Sequence, residues 1–151
     1  MNQKRIPLVL AAALALVLPV AAAADSYVAS FTEDKAEFIR VDGNFTTTLE
    51  CVVSPEDNAE ARRVTIVNSG LTARDIELTS YAELVLAPPA ADTAHPAFSK
   101  MFVETHYIPE IQTLLATRRR RSPGDPEIWM AQFMLVQGPT IGDFEFETDR
   151  A

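Results

Sequence analysis

The chain has few side chains of the kind that catalyse. It holds two histidines, His95 and His106, and one cysteine, Cys51. The histidines lie in AHPAF and VETHYI, a turn-like setting and a strand-like one. Two distant histidines and a lone thiol make no zinc signature, which needs ligands in close pairs. A surface or structural role is expected for each histidine. One cysteine permits no internal disulfide, and its setting in TTTLECVV predicts a buried, inert thiol. Nucleophile motifs are missing as well. There is no G-x-S-x-G elbow, no S-x-x-K and no glycine-rich phosphate loop, with only five glycines in the sequence. Carboxylates are plentiful, but a glycosidase-type pair needs a set separation across a cleft. Most acids here fall on alternating strand positions, as on a solvated face. No catalytic residue, metal ligand or cofactor is therefore assigned.

What remains is binding chemistry. Aromatic rings stack on the apolar C–H faces of sugars, and polar neighbours bond the hydroxyls. Tyr27, Tyr81, Phe102, Tyr107 and Trp129 could line such a platform, although Trp129 is expected in the core. Tyr81, Tyr107 and Arg119 are the candidate carbohydrate contacts. Arg119 belongs to TRRRRSPGDPEIW, residues 117–129. Four consecutive arginines suggest nucleic acid when the rest of a chain is basic. Here 13 Lys+Arg face 21 Asp+Glu, a net charge of −8, and such a field repels polyanions. Nucleic acid is not expected as a partner. As the end of a hairpin arm, the run puts Arg118 and Arg120 on one face and Arg119 and Arg121 on the other. Strand carboxylates such as Glu77, Glu83 or Glu104 are the expected counter-charges.

The elements that must position these groups read as strands. The chain has 151 residues, 48% hydrophobic and 23% charged, which suits one globular domain at most. Alternation of period two dominates. In DIELTSYAELVLAP, Ile76, Leu78, Ala82, Leu84 and Leu86 oppose Glu77, Thr79, Tyr81 and Glu83, which predicts a long half-buried strand. TTTLECVV sets Thr47, Leu49, Cys51 and Val53 against Thr48, Glu50 and Val52. ARRVTIVN is a third strand. IWMAQFMLV, residues 128–136, is apolar on both faces and predicts a central strand. Asp42-Gly43-Asn44 reads as a hairpin turn between AEFIRV and FTTTLECVV, and Asn68-Ser69-Gly70 as another before the long strand. Ser54-Pro55-Glu56-Asp57 and Ser122-Pro123-Gly124-Asp125-Pro126 are loops. The one helical stretch is short, 92–100, and limited by Pro96. FEFETDRA reads as a strand entering a connection. The fold expected is an all-β antiparallel sandwich. Asn44-Phe45-Thr46 matches the N-glycosylation pattern, but the bacterial style of the leader discounts it, and Asn44 also serves the turn.

The first 24 residues stand apart. Asn2-Gln3-Lys4-Arg5 is a short basic region, 6–20 is an uncharged apolar run, and 21–24 are small alanines. This is the pattern of a signal peptide cut after Ala24. A retained inner-membrane anchor through 6–24 is the alternative. Export, to the periplasm or beyond, is expected. Loss of 1–24 removes Lys4 and Arg5 and no acid, so the remainder, 25–151, is more acidic still.

A longer word carries a resemblance. The run ELTSYAELVLAPPAADTAHPAFSKMFVETHYIPEIQTLLATRRRRSPGDPEIWMA, 77–131, resembles the N-terminal super-sandwich domain of glycoside hydrolase family 94, formerly glycosyltransferase family 36. It is most similar to the phosphorylase-like region of cyclic β-1,2-glucan synthases. SFTEDKAEFIRVDGNFTTTLECVVSPEDNAEARRVTIVNSG, 30–70, and FETDRA, 146–151, fit the same family. The resemblance implies a partial super-sandwich over 25–151. In the family this domain is associated with carbohydrate and precedes an (α/α)₆ barrel that carries the catalytic aspartate. No barrel residue has a counterpart here, so none is carried over, and the chain is not expected to be an enzyme by itself. The resemblance thus implies a structural or carbohydrate-binding module with a β-glucan or other carbohydrate as partner. The alternatives are an interaction subunit, completed by a catalytic barrel chain or by self-association, and a gene fragment without independent function.

Overall fold

The computed structural model describes residues 24–138 and 144–148. The expected leader lies outside them apart from Ala24. Among the described residues no helix is long and apolar enough to cross a membrane. The described chain divides into two compact units, one up to Glu83 and one from Leu84.

The first unit is a four-stranded antiparallel meander. Strands β1 (Ser26–Phe31), β2 (Lys35–Asp42), β3 (Phe45–Val53) and β4 (Glu60–Asn68) pair in chain order. The antiparallel all-β architecture expected from the alternation is the one observed. Gly43 and Asn44 close the β2–β3 hairpin, with Asp42 opposite Phe45. Gly43 has φ +56, and a positive φ at the first central residue is the requirement of a two-residue type II′ turn. Its N–H donates to Asp25 Oδ2 at 2.7 Å, which ties the turn to the start of β1. Ser54 Oγ accepts the N–H groups of Glu56 and Asp57 at 3.3 and 3.0 Å and shapes the expected loop before β4.

Side chains sort by register. Ala29, Phe38, Leu49 and Val64 lie in one row across the sheet. Leu49 is buried at 8% exposure. The Phe38 ring meets Phe31 edge-on at 5.8 Å and stacks beside Tyr27 at 6.5 Å. Cys51 shares this face, and burial pushes its thiol up from the ordinary value, which suits the inert role expected of it. The opposite face carries charge. Glu37, Glu50 and Arg63 stand side by side on β2, β3 and β4. Two carboxylates directly opposite would repel. Lys35 Nζ bridges them at 3.1 and 3.0 Å, and Arg63 Nη1 adds to Glu50 at 3.4 Å.

The second unit is a three-stranded antiparallel meander of β5 (Val103–Ile108), β6 (Thr113–Arg118) and β7 (Trp129–Phe133). Two short helices precede it, α1 (Pro89–Ala94) and α2 (Pro96–Lys100), where one short helix over 92–100 is expected; Pro96 opens the second. Its buried residues include Thr113, Ala116 and Met130. Gln112 takes φ +47 in the β5–β6 connection.

Four expectations are corrected. The run 75–87 joins no ladder. Ile76 and Leu78 are exposed and only Leu86 is buried. Leu86 takes φ +49 just before Pro88 and Pro89. Asn68-Ser69-Gly70 consequently leads into no hairpin. Strand β7 ends at Phe133 and lies at the rim of its sheet, with Phe133 and Leu135 exposed at 64% and 83%. Among the described residues it is not a central strand. Residues 144–148 form no ladder. The last residues of FEFETDRA lie outside the described residues. Alternation reports an extended backbone with two unlike faces, whereas a sheet also needs a neighbour to take the hydrogen bonds.

Candidate functional site

The three sugar-contact candidates are divided between the two units, and the two that share a unit, Tyr107 and Arg119, stand well apart. Tyr81 is 62% exposed in the first unit, outside any strand. Tyr107 sits on β5 of the second unit and stacks on Phe146 with centroids 4.0 Å apart. That leaves one face of the ring occupied by protein. Arg119 lies just past β6, its N–H donating to the carbonyl of Phe102 at 2.8 Å. Phe102 is five positions from Tyr107 along the strand direction, about 17 Å at about 3.4 Å per residue. Trp129 is half-buried and its Nε1 donates to Glu127 at 3.1 Å. Tyr27 joins the Phe38 cluster on the apolar face of the first sheet.

The arginine run finds aromatic partners. Phe98 and Phe102 meet edge to face at 5.2 Å. The guanidiniums of Arg118 and Arg119 lie over Phe102 at 5.3 and 5.5 Å, and that of Arg121 lies over Phe98 at 5.4 Å. Arg118 Nη1 also donates to the carbonyl of Val85 at 3.1 Å. Glu104, one of the three expected counter-charges, stands opposite Thr117 across the ladder. Stacking on a ring is open to the run because β6 ends at Arg118. Beyond that residue the run no longer alternates strictly between two faces, so its side chains fold back on the nearest apolar surface. His106 is exposed on β5, and His95 is exposed between α1 and α2.

A different group of residues converges at the turn end of the first sheet. A depression of about 270 Å³ is lined by Asp42, Asn44, Phe45, Asn68, Gly70, Thr72 and Arg74. The β3–β4 register puts Asn68 opposite Phe45. The strand after the β2–β3 turn and the strand that returns beside it thus bring Asn44 and Asn68 together. Ser69 secures the junction, its N–H and its hydroxyl both donating to the carbonyl of Asn44, at 2.9 and 3.1 Å. Asn68 is held at both ends. Its Oδ1 accepts the N–H of Gly70 at 2.9 Å and its Nδ2 donates to the carbonyl of Thr72 at 2.9 Å.

Gly70 makes the convergence possible. A Cβ at that position would stand 2.8 Å from Asn44 Nδ2 and 3.1 Å from Asn68 Oδ1. Only a residue without one allows both carboxamides so close. Asp42 is clamped by Arg40, whose Nε and Nη2 donate at 2.6 and 2.8 Å. Those bonds hold the Asp42 carboxyl below the usual range, so it is ionised at neutral pH. Among the described residues, the carboxamide of Asn44 and the guanidinium of Arg74 make no hydrogen bond or ion pair to protein.

The depression therefore offers a free carboxamide, a free guanidinium, a fixed carboxylate, a hydroxyl and one aromatic wall. Such a set matches a polyol, which carries donors and acceptors on its edges and apolar C–H on its faces. No group of three His, Cys, Asp or Glu among the described residues is placed to hold a metal ion. The sequence named Asn44 only as a turn residue and did not single out Thr72 or Arg74. Register was the missing signal: nine-residue strands on each side of the 54–59 loop return the end of β4 to the β2–β3 turn.

Comparison with known proteins places the chain. Residues 14–151 match the family model described as the glycosyl hydrolase 94 supersandwich domain. The match begins inside the segment read as a leader. The protein named cyclic beta-(1,2)-glucan synthase NdvB, from Rhizobium meliloti (strain 1021), is 42% identical over 132 residues. Those residues are 87% of this chain and 5% of that relative, so the chain spans a small part of the relative's length. The words TSYAELVLAP, AHPAFSK and TRRRRSPGDPEIW point the same way, and the chain belongs to the glycosyl hydrolase 94 supersandwich-domain family.

Proposed function

We propose that the chain is a non-catalytic carbohydrate-binding module that holds a β-linked glucan in the depression formed by Asn44, Asn68 and Arg74. One observation carries this reading. Beside a single exposed turn, the structure gathers unpartnered polar groups of both senses around the Phe45 wall. The name of the relative, a synthase of β-1,2-linked glucan, supplies the linkage to test first. Export through 1–24, supported by the basic start and the apolar run, belongs to the same reading and brings the module to a compartment where polysaccharide is met.

Isothermal titration with a β-1,2-glucan oligosaccharide checks the assignment. Asn44→Ala and Arg74→Ala each weaken binding about 2- to 12-fold, the equivalent of about 0.5–1.5 kcal/mol for one hydrogen bond exchanged with water. Neither residue supports the fold through a side-chain bond, so the melting temperature stays within a degree or two of the parent, as surface substitutions of about ±0.5 kcal/mol do. Affinity unchanged in both variants would remove the depression as the site.

A further inference from the structure

We propose that the arginine run is a docking patch for an acidic segment of another protein. The proposal is independent of the sugar site, since every residue it uses lies in the second unit. Three guanidiniums, those of Arg118, Arg119 and Arg121, share two ring systems, Phe98 and Phe102, at 5.3 to 5.5 Å from the centroids. Lys100 ends the helix that carries Phe98. Arg120 is exposed and makes no hydrogen bond, ion pair or ring contact among the described residues. Like charges so close repel one another. The acid nearest in sequence to Arg119, Arg120 and Arg121 is committed to the turn. Asp125 accepts the N–H groups of Arg121 and Ser122 at 2.8 and 3.0 Å and the hydroxyl of Ser122 at 2.8 Å. Its carboxylate caps the turn and is held there.

Stacking also settles what the patch presents. A guanidinium lying over a ring keeps its N–H groups at the edge of its own plane, directed past the ring. The side chain is ordered before a ligand arrives, so less entropy is lost on binding. Those edges match carboxylates two donors at a time. Sugar fits less well, because guanidiniums already lie over both rings. Nucleic acid fits poorly too. A long polyanion reaches across the surface of a chain of net charge −8. A short acidic segment does not, because charges beyond about 8 Å are screened at physiological salt.

The test uses the whole chain and a fluorescently labelled oligoglutamate peptide, followed by anisotropy. The peptide is expected to bind at low salt and to weaken steadily as salt is raised. Arg119→Glu combined with Arg121→Glu is expected to lower the affinity about tenfold or more. A melting transition like the parent's reports that this variant has folded. If it does not fold, Arg119→Gln with Arg121→Gln makes the same comparison. No binding at low salt overturns the proposal. So does binding unaffected by either double variant, or a single-stranded oligonucleotide or inorganic phosphate that competes at lower concentration than the peptide.

Discussion

Leu49→Ala lowers the unfolding free energy by about 2–3 kcal/mol, toward the lower end of the range for buried leucines. Leu49 is central in its row, between Phe38 on β2 and Val64 on β4. At 8% exposure it is the most completely covered side chain of the first sheet. Truncation removes buried methyl and methylene groups and leaves a gap beside the Phe38 ring, which is itself braced by Tyr27 and Phe31. Those rings can settle partly into the gap, which keeps the cost below the maximum. Thr48→Ala, one residue away on the charged face, changes stability by about 0.5 kcal/mol or less. Urea denaturation of the two variants makes the comparison. Equal midpoints would mean that the face assigned to the core is not the one that holds the sheet together.

Gly70→Ala separates the site from the fold. The added methyl would meet Asn44 Nδ2 at 2.8 Å, far inside ordinary contact. That atom is the free end of a side chain, and rotation about χ1 and χ2 relieves the clash at small cost. The displaced carboxamide no longer points where a sugar hydroxyl would meet it. Asn68 cannot give way so easily, because both ends of its carboxamide are bonded to backbone. Asn44 therefore takes most of the movement. The expected result is a loss of glucan affinity of about tenfold, toward the upper end of the range for Asn44→Ala because the methyl also fills part of the depression, equivalent to about 1.4 kcal/mol. Stability should change by less than about 1 kcal/mol. Titration calorimetry and thermal melting on the same sample read both quantities. A large fall in melting temperature with affinity retained would show that Gly70 serves the fold and not the ligand.

The sequence made some of this legible and concealed the rest for physical reasons. Thr47, Leu49 and Cys51 alternate with Thr48 and Glu50, and a strand has only two faces, so their sorting followed from the pattern. Asp42-Gly43-Asn44 announced its turn because few residues accept φ +56. The same logic fails over Ile76 to Leu86, where the alternation is as clear but no ladder forms. Hydrogen-bond partners are not written into a segment's own residues. It fails again over 128–136, where apolar character on both faces does not mean burial on both faces. An abundance of carboxylates points the arginines toward acids and gives no sign of the rings of Phe98 and Phe102 that three of them lie over. The depression is the least legible feature. It depends on Asn44 and Asn68, 24 positions apart in sequence, meeting through a register that only the paired strands define.

A heteronuclear NMR titration of the isotope-labelled chain with a β-1,2-linked glucan tests sugar binding at the depression most directly. Shifts that saturate and centre on Asn44, Phe45, Asn68, Gly70, Thr72 and Arg74 are the predicted result. Saturating shifts centred elsewhere would contradict the site, and a spectrum unmoved by saturating sugar would contradict carbohydrate binding itself.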